Sequence, residues 1–213
     1  MLVKVKDQEM MNLNKLLENK AFSEAEEFIL SKKFPKNVLN YNLGFLEYSK
    51  GNLVASRKYL EEAKFSGMFS EEVEGALKLV KTELELVYTE SDISDYDNFI
   101  INSVSLPSQF YPTLSVLSFL LALGLLVKNN KFWGFISSLF GIAFLVTFFA
   151  IKDLKINYNL VENIIYRGPS RIFEEKQVLP PGAKFIISKE TDEWKYIKYP
   201  AIYEGWVYKN KAI

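Results

Sequence analysis

The side chains best grouped for chemistry in this 213-residue chain are acidic. Glu71, Glu72 and Glu74 fall within four positions, and Asp92, Asp95 and Asp97 alternate with other residues in DISDYD. Clustered carboxylates are what a hard cation needs, and the second group has the opening spacing of a calcium loop. That segment lacks the glycine at the bend and the closing glutamate such a loop requires. The first group follows Ser70 at the start of an apolar-periodic run, where carboxylates offset the positive end of a helix. The groups are read as a solvated helix N-terminus and an acidic linker, and no metal site is expected. Histidine and cysteine are both absent. That removes most nucleophile–base pairs, thiol redox chemistry, Cys/His zinc sites and haem ligation. Serine and lysine are plentiful, but no spacing singles out a Ser–Lys dyad. The expectation is a protein that is not an enzyme, with no catalytic residue and no cofactor.

Binding is the alternative to catalysis. Trp194, Tyr196, Tyr203, Trp206 and Tyr208 crowd the C-terminal end, and an exposed aromatic set could grip a peptide or a glycan. A unit of about 55 residues also needs large side chains for its own core. Trp194 and Trp206 are therefore assigned to that core and Tyr203 to an exposed contact. A second candidate is a stripe of small residues, Gly134, Ser137, Ser138 and Gly141, at helical spacing. Such stripes let membrane helices approach closely, either within one protein or against a partner; both remain open.

The elements that must position these groups begin with two uncharged apolar runs. FYPTLSVLSFLLALGLLV covers 110–127 and FWGFISSLFGIAFLVTFFAI covers 132–151, separated by KNNK. At a rise of about 1.5 Å per residue they span roughly 27 and 30 Å, one hydrocarbon core each. Neither has a polar face, and Phe110, Tyr111, Phe132 and Trp133 stand where an aromatic belt would. Pro112 falls in the first turn, where its missing N–H costs little. The middle of the chain, 109–152, reads as a two-helix transmembrane hairpin.

The net charge of zero hides an asymmetry: residues 1–108 hold 13 basic and 18 acidic side chains, and residues 152–213 hold 11 and 8. No concentrated basic face points to nucleic acid. Lys128 and Lys131 lie in the tight loop. No Lys or Arg lies between Lys81 and Lys128, and residues 89–108 carry four acidic side chains. The positive-inside rule then puts the loop in the cytoplasm and both tails outside, although Lys152 and Lys155 oppose it on the other flank. The opening MLVKVKDQEMMNLNK has no apolar core or cleavage pattern and is not expected to be a signal peptide. Either the N-terminal segment is cytoplasmic, or the numbering begins after a signal that was removed.

Residues 10–88 are helical by period. In YNLGFLEYSKGNLVASRKYLEEAKFSG, Leu43, Leu46, Leu53, Leu60 and Ala63 face inward, with Gly51-Asn52 at a turn and Gly44 and Ala63 where helices must approach. LLENKAFSEAEEFILSKKFP repeats the second half of this plan: Phe22, Ala25 and Ile29 take the places of Leu53, Ser56 and Leu60, with an offset of 31 residues. That is close to the period of about 34 of helical-hairpin repeats. The pattern Leu43-Gly44, Gly51, Ala63 resembles the tetratricopeptide repeat (TPR) family, with Ser56 where alanine is usual and no closing proline after Gly67. The resemblance makes Tyr41 and Gly44 candidates for partner binding. A third helix from Ser70 is read as the cap of a short array. Residues 89–108 are read as an acidic, then polar tether with an interfacial turn at Phe99–Ile101.

Residues 156–213 change to short β-forming runs, Tyr158–Ile165, Lys184–Ser188, Trp194–Tyr199 and Trp206–Tyr208, divided by turns at RGPS, PPG, TDE and EG. A small all-β barrel is expected. Arg167-Gly168-Pro169-Ser170, Pro181-Gly182, Glu193-Trp194 and Glu204-Gly205-Trp206-Val207 resemble a bacterial SH3-like domain, with Pro200–Tyr203 as an insertion. The fold class expected is thus a multidomain membrane protein: TPR-like repeats (1–88), tether (89–108), hairpin (109–152) and SH3-like barrel (156–213).

That order of parts is similar to the BatE family, encoded with MoxR-type AAA+ ATPases and von Willebrand A-domain membrane proteins in bacterial Bat operons. The resemblance implies a non-enzymatic inner-membrane scaffold, with those proteins as partners beside membrane lipid and with energy supplied by the separate ATPase. Gly134, Ser138, Gly141 and Tyr203 join Tyr41 and Gly44 as partner-binding candidates. Peptidoglycan, gripped by the barrel, is the alternative ligand.

Overall fold

The computed structural model describes residues 7–107 and 109–209. The first residues, which bear on the signal-peptide expectation, lie partly outside that range.

Five helices open the chain: α1 (Asp7–Glu18), α2 (Phe22–Ser31), α3 (Lys36–Ser49), α4 (Leu53–Phe65) and α5 (Glu71–Glu83). The internal repeat is visible in the backbone. Lys20, at φ +56°, ends α1 as Gly51, at φ +81°, ends α3, 31 residues on. The bond from Ala21 N–H to the Leu16 carbonyl recurs as Asn52 N–H to Glu47, and Ala25 N–H to Ala21 recurs as Ser56 N–H to Asn52. Burial follows the same offset: Ala25 and Ile29 on α2 and Ser56 and Leu60 on α4 all face the interior. Leu13, Ala25, Ile29 and Leu46 form one cluster; Leu60, Val73, Leu77 and Val80 form the next. Ser70 caps α5 by accepting the Val73 N–H at 3.5 Å.

Much of the segment 89–108, expected to be a tether, is helical. A short α6 (Leu86–Ser91) is followed by α7 (Asp95–Ser105). Ser94 Oγ accepts the Asp97 N–H at 3.1 Å, so the acidic run that looked like a linker is a capped helix start. Asp97 and Ile101, one turn apart, give α7 its buried face.

Helices α8 (Phe110–Val127) and α9 (Lys131–Ile151) form an antiparallel hairpin, each long and apolar enough to cross a membrane. Ser115 Oγ donates to the Gly141 carbonyl and Ser137 Oγ to the Ser118 carbonyl, both at 2.8 Å, which satisfies the inner-face hydroxyls. Only 17% of either apolar window is buried within the protein. Leu117, Leu120, Leu121, Phe135, Phe140 and Val146 face outward, which a buried core helix would not allow.

The chain ends in a six-stranded antiparallel sheet, with β1 (Ile156–Tyr158), β2 (Asn163–Tyr166), β3 (Glu175–Leu179), β4 (Lys184–Glu190), β5 (Trp194–Tyr199) and β6 (Gly205–Tyr208) in the order β1-β4-β5-β6-β2-β3. Strands β4, β5 and β6 fall where the sequence puts them. Strand β3, EKQVL, has too little apolar alternation to be read in advance. Ile165, Leu179, Phe185, Ile197 and Val207 build the core.

Candidate functional site

A buried carboxylate, Glu61, lies where the helical and β parts meet. Arg57 and Glu61 lie one turn apart on α4, and Arg57 Nε donates to Glu61 Oε1 at 3.0 Å. The other oxygen, Glu61 Oε2, receives Lys184 Nζ of β4 at 2.5 Å and the Tyr158 hydroxyl of β1 at 2.9 Å. Arg57 Nη1 reaches the Gly182 carbonyl at 2.7 Å, and its remaining nitrogen pairs with Glu90 of α6, which also holds Lys81 at 2.8 Å. Lys184 Nζ further donates to Ser105 Oγ at the end of α7, at 3.0 Å. Arg57 is 2% exposed and Lys184 8%, so both cations are out of water.

Electrostatics follow from that arrangement. Burial alone would raise the Glu61 carboxyl, but Lys184 and Arg57 outweigh it and hold the group at about 2. Burial pushes the Lys184 ammonium below the ordinary lysine range despite Glu61. Burial and the Glu61 charge push the Tyr158 phenol well up. A carboxylate held this firmly ionised, with both oxygens engaged, is suited to fastening two parts together rather than to proton transfer at neutral pH.

Shape completes the seam. Gly182, at φ +79°, occupies the PPG turn; a Cβ there would meet Leu84 Cδ1 at 2.7 Å and Leu86 Cδ1 at 3.0 Å. Glycine is thus required both by the backbone and by the approach of the α5–α6 corner. Asp97 of α7 accepts the Ala201 N–H at 2.9 Å, so the Pro200–Tyr203 insertion is a docking point for α7. A cleft of about 450 Å³ opens beside the ion network, with Lys78, Lys81, Asn98 and Asn102 among its walls.

The partner-binding candidates are dispersed. Gly44 faces α4, where a Cβ would sit 2.8 Å from Leu60 Cγ. Tyr41 is half-buried against the cluster of Leu60, Val73 and Leu77. Gly134 and Gly141 face α8, where their Cβ atoms would lie 3.0 Å from Leu126 Cδ2 and from Phe119 Cζ. Helix α8 therefore covers the face they share. Ser138 is half-buried and donates to the Gly134 carbonyl of its own helix at 3.0 Å. Tyr203 is 3% exposed and belongs to the sheet's core, contrary to the exposed role expected for it. A 3-10 turn, Ala201–Tyr203, folds the insertion inward and carries the ring with it. Trp194 is buried as expected, between Tyr166 and Tyr208 at centroid distances of 5.5 and 5.4 Å, whereas Trp206 is only half-buried.

The seam was missed from sequence. Arg57 and Glu61 have the i, i+4 spacing of an ordinary surface pair. Lys184 lies 123 residues from Glu61, and no local pattern links them. Compared with protein-family models, curated proteins and solved structures, the chain matches none.

Proposed function

We propose that the chain is a non-enzymatic membrane scaffold whose TPR-like helices and SH3-like β unit act as one head on a two-span anchor. The observation that carries this reading is the Glu61 carboxylate, shared by Arg57 of the helical part and by Lys184 and Tyr158 of the β part. These parts lie on opposite sides of the hairpin in sequence. They meet only if the chain returns to the side it left, which two spans accomplish and one would not. Lys128 and Lys131 in the hairpin loop favour a cytoplasmic loop, hence a head outside the inner membrane of a bacterium.

The resemblance to BatE proteins supplies partners for such a head: von Willebrand A-domain membrane proteins and, through them, a MoxR-type ATPase. A rigid head of helical repeats joined to a small β unit suits protein recognition, in which binding work is done without a reacting group. The test is affinity purification of the full chain from bacterial membranes in mild detergent, with mass spectrometry of what accompanies it. Recovery of A-domain membrane proteins with the ATPase is the expected result. Retention on isolated sacculi without those proteins would overturn it in favour of a wall-binding adaptor.

A further inference from the structure

Where the two spans end beneath the head, Leu106 and Pro107 roof a cavity of about 300 Å³ whose walls include Tyr111 of α8 and Phe148 and Ile151 of α9. That volume is at the lower end of small-molecule sites. The Tyr111 hydroxyl is turned away to the Ser103 carbonyl at 3.4 Å, which leaves its ring as wall and ties the roof to the span. Lys152 is the one charged residue among those lining the cavity. Its ammonium lies 5.3 Å from the Phe149 ring centroid, and no ion pair within the described residues engages it. An apolar chamber with a single unpaired cation, at the level where both apolar helices stop, matches the two ends of one kind of molecule.

We propose that this cavity holds an acyl chain of an anionic phospholipid, with the lipid phosphate on Lys152. The proposal rests on the membrane reading of the hairpin. The ends of the spans lie at the edge of the hydrocarbon core, where part of a chain can enter sideways from the bilayer while its phosphate stays at headgroup level. A zwitterionic lipid already carries its own cation beside the phosphate. An anionic lipid leaves the phosphate for the lysine, an attraction of about fivefold for one lysine near the surface.

The full chain is reconstituted into vesicles of phosphatidylcholine and phosphatidylglycerol, with a trace of phosphatidylglycerol bearing a photoreactive group on its acyl chain. Carbonate extraction is run in parallel. The expected result is labelling concentrated on Leu106, Tyr111, Phe148 and Ile151 over the outward-facing Leu120 and Phe140. Unlabelled phosphatidylglycerol should compete, and Lys152→Ala should lower the labelling about fivefold. Val104 also lines the cavity, and Val104→Trp, which fills it, should lower labelling with Lys152 intact. Even labelling along both helices, or labelling indifferent to Lys152→Ala and to Val104→Trp, would overturn the lipid site while leaving the membrane anchor standing. Release of the chain by carbonate would overturn the anchor and the site together.

Discussion

Glu61→Gln is the substitution that tests the seam. It keeps the shape of the side chain and removes the charge, leaving Arg57 and Lys184 buried around a neutral amide. Removing one partner of a buried ion pair costs about 3–5 kcal/mol, because the charge left behind is uncompensated. A second route gives a similar figure. A carboxyl held at about 2 against an ordinary 4.5 contributes about 3 kcal/mol at neutral pH. The folded-state value is the lower one, so this contribution is present in full above the ordinary value and is lost as pH falls from about 4.5 towards about 2. Hydrogen exchange of the full chain in lipid nanodiscs reads the seam directly, at the backbone around Tyr158, Gly182 and Arg57. Glu61→Gln should speed exchange there on the order of a hundredfold at neutral pH. The wild-type seam should loosen on acidification across that window, and the variant should not respond. Adding Lys184→Met should recover much of the loss, since it removes the stranded cation, and the double-mutant cycle isolates the coupling. Unchanged exchange in Glu61→Gln, or the same acid response in variant and wild type, would refute the reasoning.

Three further outcomes are expected. Gly44→Leu drives a side chain into Leu60, 2.8 Å from where a Cβ would stand, and should destabilise the helical part by about 1–3 kcal/mol, measured by thermal unfolding of the full chain in detergent; an unchanged melt would place the α3–α4 contact elsewhere. Gly134→Leu with Gly141→Leu should push α9 off α8 and lower the amount of protein in the membrane, because Leu126 and Phe119 occupy that space; normal abundance would mean that the two helices do not pack along this stripe. Lys155→Cys should react with a membrane-impermeant thiol reagent before the inner membrane is permeabilised, and labelling only afterwards would reverse the orientation.

The parts of this fold with a strong local period were legible. Helix α8 occupies the residues of the first apolar run and α9 adds Lys131 to the second, because sustained apolarity is a purely local signal. The 31-residue offset was readable from Phe22, Ala25 and Ile29 and reappears in the turn hydrogen bonds. Helix α7 was lost because charge masked its cap: DISDYD looks like a solvated linker until Ser94 is seen accepting the Asp97 N–H. Tyr203 was misjudged because an insertion beside a strand suggests exposure, while the turn that folds it inward also docks on Asp97, which accepts the Ala201 N–H from 104 residues away. The seam itself was illegible for the same reason. Its two halves are joined by neither period nor motif, only by tertiary placement.

The connectors between head and hairpin argue about what the head can reach. Four residues, 106–109, separate α7 from α8, and four more, 152–155, separate α9 from β1. Four extended residues span at most about 14 Å. Both connectors leave the same end of the hairpin, and the head is fixed to that end at one further point, where the Tyr111 hydroxyl of α8 donates to the Ser103 carbonyl of α7. Ser105, two residues on, in turn receives Lys184 of the β part and so ties α7 into the head. A head tethered this closely and held together by its own ion network cannot search a large volume, as one on a flexible linker of tens of residues would. If the hairpin spans a membrane as proposed, the ligands of such a head are met at the membrane surface. That requirement is met by partners that are themselves anchored in the bilayer, whose binding faces are already confined to the same thin layer and so encounter the head at high effective concentration. It is met poorly by a polymer lying well above the membrane. On the scaffold reading proposed above, the geometry of the connectors therefore favours membrane-anchored protein partners over a wall glycan.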